Sequence, residues 1–476
     1  MGAEKNIVAI ELGSSSVRAI VGQKKPDGSL QIIGFEKENA PDSIHKGVVY
    51  NIDKTVQAIV SIKKRLEERG RFVIDRVCVG VSGQSLRTVA NSVHRQFDIK
   101  VTVSDEIVDN LIDENRAQVY PGAEILDVVP QEYRVGSSLT HEPVGIMADR
   151  IEGYYKNIVA RKSLRESIGR CLQGAKLEVA DYFIAPLLLS NYLLTDTEKR
   201  SGCALVDFGA ETTTVAIYEK NILRHLAVIP LGGYNLTADI AASLHIEPEE
   251  AEKLKFTYGS AYTEEEQIDT TRTINISNDR VIELKKLLNL IEARQQEILA
   301  NVWEQIKDYS DRLLAGVIFT GGAASIPNLE TAFVQYHHFD KVKTRLMPAA
   351  PEFTTNLKLD PQNATLATLV AMLRRGDQEC TSERHEPTDL FDQAEEEPVT
   401  VTKPAEPSAG TGVVRENKPA EPEVEPEAEP MADEPEEPKK PKEPKKPGAL
   451  KRFFKKFSDA LEGLVEEKQP NSNPEQ

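Results

Sequence analysis

The sequence predicts an α/β chain built from two related lobes, and three observations carry that prediction. The first is the stretch 203–233, CALVDFGAETTTVAIYEKNILRHLAVIPLGG. Its apolar run Ala204-Leu205-Val206 ends on Asp207, a small-residue turn follows from Phe208 to Thr213, and strands are expected over Thr214–Tyr218 and Leu226–Ile229. The second is that residues 6–22, NIVAIELGSSSVRAIVG, repeat this pattern at an offset of 196 positions. Glu11 falls on Asp207, Gly13 on Gly209 and Ser16 on Thr212, while Leu30, Ile32 and Ile33 fall on Leu226, Val228 and Ile229. Such a repeat marks two copies of one supersecondary unit. The third is that helical periodicity alternates with short strand-like runs along most of the chain.

The chemistry of the repeated unit follows from its residue types. A strand, a turn rich in Gly and hydroxyls, and an antiparallel return place backbone N–H groups and Ser or Thr hydroxyls around one point, which suits a phosphate. An acid at the strand end can hold a hydrated Mg²⁺ beside it. Two such hairpins facing across a cleft would grip a nucleotide's phosphates from both sides. The plainer reading, that Gly/Ser turns join strands with no ligand, fits either hairpin alone better than it fits the matched pair.

With 476 residues the chain is long enough for several lobes. Cys78, Cys171, Cys203 and Cys380 are widely spaced, form no Cys-x-x-Cys, and read as buried reduced thiols, which fits a cytosolic compartment. The run Ile7–Ile10 stops at Glu11 and reads as neither signal peptide nor membrane span. Net charge is −18 and unevenly spread: 395–437 holds 14 acids and 3 bases, whereas 439–456 holds 9 bases and 1 acid. An acidic chain with no basic stripe in its folded part argues against nucleic acid as a partner.

Between the hairpins, Lys54–Arg69 reads as a helix with Val56, Ile59, Val60, Ile62 and Leu66 near helical spacing, stopped by Gly70. A strand over Arg76–Val81 ends in Gly80-Val81-Ser82-Gly83. From about Gln84 to Arg161 strands (Ser92–Val103, Ile125–Val135, Tyr154–Val159) surround an acidic helix, Asp105–Gln118; this block reads as an inserted α+β subdomain that binds rather than reacts. A helix over Ser163–Ala175, a strand over Leu177–Ile184 and a helix opened by Ala185-Pro186 lead to the second hairpin. After it, Gly232-Gly233 could admit a close backbone approach to phosphates before a helix over Tyr234–His245. Pro248 starts a helix carrying Glu252 and Lys255 on one face, which alone would be an exposed charge pair. Val281–Leu314 reads as one long helical region, and Val317–Phe319 as a strand leading through Gly321-Gly322 to a helix, a natural seat for an anion. Ala364–Arg374 is expected to be the last folded element.

Residues 398–447 hold 12 prolines and almost no large apolar side chains, so they predict an extended, disordered linker. Beyond it, Leu450, Phe453, Phe454, Phe457, Leu461, Leu464 and Val465 make one apolar stripe at helical spacing, bordered by Lys451, Arg452, Lys455 and Lys456. That combination suits the surface of an acidic membrane; docking onto a partner or the chain's own body is the alternative.

Taken together, the two hairpins, the Ala251-Glu252…Lys255 helix and VIFTGGAA resemble the actin-like ATPases. Order, spacing, Gly80–Gly83 before the inserted block, LRHLAVIPLGG and the tethered tail are most similar to the FtsA family of bacterial division proteins. The resemblance implies an actin-like two-lobed ATPase fold binding ATP and Mg²⁺. Gly13, Ser14, Ser15 and Ser16 would form the first phosphate loop, and Asp207, Gly209, Thr212 and Thr213 the second, with Gly232 and Gly233 beside it. Glu252 and Lys255 would reach ribose and adenine, Gly321 and Gly322 would lie against the nucleotide, and Asp207 and Glu11 would act through Mg²⁺ and its waters. It implies subdomains at 1–83 with 162–198, 84–161, 199–249 with 316–376, and 250–315, then a linker at 377–448 and a membrane helix at 449–468. Implied partners are FtsZ, contacted within 250–318, further copies of the chain, later division proteins through the inserted subdomain, and anionic lipids on the cytoplasmic face of the membrane at the division site. Many relatives read Asp-x-Gly-Gly-Gly-Thr where this chain has Ala210 and Glu211, and chaperones and MreB carry Glu-Pro in place of Ala185-Pro186. That Glu orients the attacking water or the metal, so its replacement implies a nucleotide switch and at most weak hydrolysis. A small-molecule or sugar kinase of the same superfamily would need a general base that the sequence does not display. A chaperone would need a β-rich domain after the core, and a pilus-assembly relative is disfavoured by the tail helix.

Overall fold

The computed structural model describes residues 4–383, apart from residue 41 and residues 265–270, 277–279, 338–342, 348–352 and 361–362. The expected amphipathic helix at 449–468 and the expected Pro-rich segment at 398–447 lie outside the described residues.

The first half opens with an antiparallel meander, β1 (Lys5–Leu12), β2 (Ser16–Lys24) and β3 (Leu30–Asn39). Helix α1 (Ile52–Gly70) then leads to β4 (Arg76–Val81), which returns parallel to β1 with Ala9 opposite Cys78. The inserted block consists of β5 (Arg87–Thr102), α2 (Asp105–Arg116), β6 (Ala123–Val135) and β7 (Met147–Arg161). The first half resumes with α3 (Lys162–Gly174), β8 (Glu178–Ile184) and α4 (Ala185–Leu193). The second half repeats the plan: β9 (Cys203–Phe208), β10 (Thr213–Glu219) and β11 (Ile222–Ile229) form a meander, followed by α5 (Gly233–Leu244), α6 (Pro248–Tyr258) and α7 (Leu284–Ile306). Strand β12 (Gly316–Thr320) returns parallel to β9, then come α8 (Leu329–His337) and α9 (Ala367–Arg375). The order β12-β9-β10-β11 copies β4-β1-β2-β3, so the sequence repeat is a structural one.

Strand β9 shows why its apolar run is nearly continuous. Cys203 and Leu205 face the core of the first half, whereas Ala204, Val206 and Phe208 face the core of the second. A strand covered on both faces has no polar side to alternate with. The inserted block has its own small core around Leu111, Tyr133, Ile151 and Tyr155. Its sheet does not join the half that it interrupts in sequence. It joins the second half, as β5 lies beside β11 with Arg87 opposite Ala227 in one nine-stranded sheet. Gln131 and Arg224 reinforce this seam: Gln131 donates to Leu223 O (3.0 Å) and accepts from Arg224 (3.0 Å).

Three expectations need correction. Gly70 does not stop α1: it is the last helical residue, and the left-handed cap is Arg71, with φ 56° and its N–H on Glu67 O. Gly70 is needed for another reason, since a Cβ there would stand 2.0 Å from the Phe72 ring. The region 281–314 is not one helix. Val281 lies in the strand Arg280–Glu283, paired with Thr273–Ile276, and a 3-10 turn over Lys307–Arg312 follows α7. A short apolar run at a helix start fits either period, and the cross-strand partner decides it. Nor does the folded body end at α9. Thr381–Glu383 pairs antiparallel with Phe72–Ile74, and Cys380, fully buried, donates its N–H to Asn6 O and accepts from Asp75 N–H.

All four cysteines are free and buried. Replacing Cys380 by Ser shrinks and polarises a fully buried side chain whose thiol donates to Gln378 O (3.4 Å). Cys380→Ser is expected to lower stability by about 1–3 kcal/mol, seen as an earlier thermal midpoint; an unchanged midpoint would remove the segment from the folding unit.

Candidate functional site

Both hairpin turns are closed by the same hydrogen bond. Gly13 N–H donates to Ser16 O (3.1 Å), and Gly209 N–H donates to Thr212 O (2.8 Å). A Cβ at either glycine would come within 3.0 and 2.9 Å of that carbonyl, so both positions call for glycine. Ala210 keeps a negative φ, so its side chain adds no backbone strain to the second turn.

At the strand ends, three ionisable groups meet. Glu11 and Arg18 are direct cross-strand neighbours on β1 and β2, and Arg18 Nη2 lies 2.9 Å from Glu11 Oε2. Arg18 also donates to Thr365 O (2.7 Å). Asp207 ends the buried strand β9, and burial, with the Glu11 charge adding to it, pushes its carboxyl up to about 6, against the pull of Arg18. Beside it Gly321 has φ 95°, and a Cβ there would stand 2.3 Å from Asp207 Oδ1. Thr320, opposite Asp207 in register, is buried, and its hydroxyl has no partner among the described residues.

A hydrated divalent cation fits this donor set. It would relieve the raised Asp207 and give the Thr320 hydroxyl a water to bind. Among the described residues no cluster of three or more His, Cys, Asp or Glu could grip a metal directly. Bound through water, such a cation would supply charge neutralisation for phosphates held between the turns.

A chain of contacts joins the two turns. Gly47 N–H donates to Ser14 Oγ (3.0 Å), and the adjacent Lys46 N–H donates to Glu211 Oε2 (2.6 Å) across the cleft. Behind the second turn, Gly232 and Gly233 admit a close approach, but of this chain's own backbone. Gly233 N–H and Tyr234 N–H donate to Gly209 O and Ala210 O, and a Cβ at Gly232 would come within 2.6 Å of both carbonyls. These amides are therefore committed to the hairpin and do not face a ligand. Gly233 also packs on Ala323, which brings the Gly321-Gly322 loop to the start of α5. Lys255 Nζ donates to Gly233 O (3.0 Å), Thr237 Oγ1 (2.8 Å) and Glu252 Oε2 (2.7 Å), and the Thr237 hydroxyl donates to Glu252. Glu252 and Lys255 are thus a partly buried network holding the start of α5, not an exposed pair.

The structure brings the expected residues of both turns, the Gly-Gly loops and the Glu252–Lys255 pair close together where the two halves meet. One hydroxyl points elsewhere: Thr213 is buried and donates to Leu231 O (2.8 Å), whereas Ser16, buried at the start of β2, keeps its hydroxyl 3.5 Å from Ser15 Oγ in the first turn. Sequence reading missed Arg18, Thr320, Lys46 and Thr365. Arg18 alone had a signal, as the single cation between Asn6 and Gly22.

A family profile described as "Cell division protein FtsA" matches residues 204–371, and one described as "SHS2 domain inserted in FTSA" matches residues 83–159. The cell division protein FtsA of Bacillus subtilis (strain 168) is 31% identical over 330 residues, 68% of this chain and 74% of that one. The chain belongs to the FtsA family. The FtsA of Escherichia coli (strain K12) is 27% identical over 388 residues, covering 78% of this chain and 90% of that one. A chain of the PilM-PilN type IV pilus biogenesis complex superposes with a TM-score of 0.55 at 15% identity, over 78% of this chain and 98% of that chain, and shares the fold. The fold is actin-like, and the block β5–β7 is the SHS2 domain that FtsA proteins carry as an insertion.

Asp207 gives this FtsA-family site a measurable signature. Its folded pKa lies above the ordinary 3.8, so ionising it costs stability. The penalty is absent below about pH 4 and complete above about pH 6. Without ligand, Asp207→Asn is expected to be more stable than the parent by about 1–3 kcal/mol at pH 8, a gap that closes toward pH 4. Urea unfolding at both pH values measures it, and a gap independent of pH would contradict the assignment.

Proposed function

We propose that the chain is an ATP-binding, actin-like membrane adaptor of the bacterial division machinery, in which nucleotide acts as a conformational and polymerisation switch. The observation that carries the nucleotide part is the pair of identically closed turns, one per half, joined across the cleft through Gly47, Lys46 and Glu211. Gly13, Ser14 and Ser15 would meet phosphates from one side, and Gly209 and Thr212 from the other. Gly321 and Gly322 would lie against the nucleoside, while Glu252 and Lys255 would shape its pocket from α6. Glu11 and Asp207 would hold Mg²⁺ through water. Hydrolysis, where it occurs, is slow: Ala185, packed against Gly80, offers no carboxylate to orient a water.

The tail supports the membrane part. Its apolar stripe with a Lys/Arg border suits anionic lipid on the cytoplasmic face of the membrane, and no helix among the described residues is long and apolar enough to cross one. One such helix binds weakly; many on a polymer of this chain bind by avidity, and the Pro-rich linker gives them reach. The polymer would anchor FtsZ at the division site and recruit later division proteins through the inserted domain.

Asp207→Ala is expected to weaken Mg-ATP binding at least about tenfold in calorimetry, as loss of a charge-assisted contact does; equal affinity would take Asp207 out of the site. Co-sedimentation with anionic vesicles tests the adaptor itself. The intact chain should carry FtsZ into the pellet with ATP present, and Phe454→Glu should leave both proteins in the supernatant. Pelleting of Phe454→Glu as efficiently as the parent would defeat the tail assignment, and failure of FtsZ to pellet would defeat the adaptor.

A further inference from the structure

Glu211 stands apart from the rest of the cleft. It is an acid inside a turn whose other donors suit an anion, and its side chain is mostly buried, with 14% of its surface exposed. Its carboxylate does not turn outward. It reaches across to the first half, where Lys46 N–H donates to Oε2 (2.6 Å) and His45 Nδ1 lies 3.4 Å from Oε1.

The loop that receives it is built for the contact. Lys46 and Gly47 both have positive φ, 51° and 72°, which turns two successive amides toward the cleft. The first meets Glu211 and the second meets Ser14 Oγ in the first turn. The loop is fixed from behind, since Gln84 N–H donates to Lys46 O (3.0 Å) and a Cβ at Gly47 would stand 2.8 Å from Gly83 Cα. A non-glycine residue in the left-handed region persists only where its surroundings hold it, and here the partner is a carboxylate from the opposite half.

We propose that Glu211 is a built-in anion that ties the two phosphate turns together, and that the terminal phosphate of a nucleoside triphosphate displaces it. The proposal rests on the nucleotide reading above and deepens it by naming what senses the terminal phosphate. Two negative groups beside one turn repel, and the Lys46 N–H that holds the carboxylate serves one acceptor at a time. With the carboxylate expelled, Lys46 loses its partner and the loop 43–50 is released from the second half. A diphosphate places less charge beside Glu211 and leaves the tie largely made. The coupling is reciprocal: whatever breaks the tie favours triphosphate.

The test uses the full chain and two variants, Glu211→Ala and Glu211→Gln, with ATP and ADP affinities measured by calorimetry. Both variants should bind ATP at least about fivefold tighter than the parent, with ADP affinity changed much less, in line with typical couplings between sites. Unchanged or weaker ATP binding in both variants, each with parental circular dichroism, overturns the proposal. Hydrogen exchange without nucleotide supplies an independent arm. The Lys46 amide should be protected in the parent, unprotected in Glu211→Ala, and exposed in the parent by ATP but not by ADP. The two arms separate the possible failures. If ATP binds yet Glu211 alters neither affinity nor exchange, the proposal alone falls. If neither nucleotide binds the parent while Lys46 protection still depends on Glu211, the nucleotide reading falls and displacement falls with it.

Discussion

Ending a doubly covered strand on a carboxylate is the constraint from which the rest of the site follows. Strand β9 is packed on one face by the first half and on the other by the second, so Asp207 stands where water is scarce and both cores converge. Its surroundings are arranged around that fact. Gly321 yields the space a side chain would take, Arg18 supplies a counter-charge while already engaged with Glu11 and Thr365, and Thr320 presents a hydroxyl with no partner among the described residues. A half-buried acid so placed is an unfavourable element of the fold, which a cation bound beside it would offset.

The duplicated hairpins were legible because both signals are local. Apolar runs ending on an acid, and glycine where a turn closes tightly, are written within about fifteen residues of each other, and the offset between the copies needs no structure to be seen. Less legible was anything decided by a distant partner. Val281 carries no sign that Thr273–Ile276 will pair with its strand, Cys380 none that it will cap Asn6, and Thr213 none that its hydroxyl will serve Leu231. Gly232-Gly233 shows a different limit. The two glycines do announce a close approach, but sequence cannot say whether the approaching backbone belongs to a ligand or to the chain itself, and here it belongs to the second turn. The Glu252–Lys255 pair was ambiguous for the same reason: spacing on a helix fixes which residues share a face, and only packing decides that this face meets Gly233.

The family supplies a cellular setting, while the distances identify which of this chain's groups are engaged. Ala210 and Glu211 in the second turn and Ala185 at the start of α4 each have a local setting in the fold. Ala210 is accommodated by an ordinary backbone angle, Ala185 packs against Gly80, and Glu211 acquires partners in the opposite half.

The seam between the inserted domain and the second half has a mechanical consequence. Strand β5 is tethered by the chain to the first half and by hydrogen bonds to the second, with Arg87 and Ala227 at its root. At 16 residues and about 3.3 Å per residue it projects roughly 50 Å. Any tilt of the two halves about that root would be magnified along an arm of that length into a larger displacement at the far rim of the inserted domain.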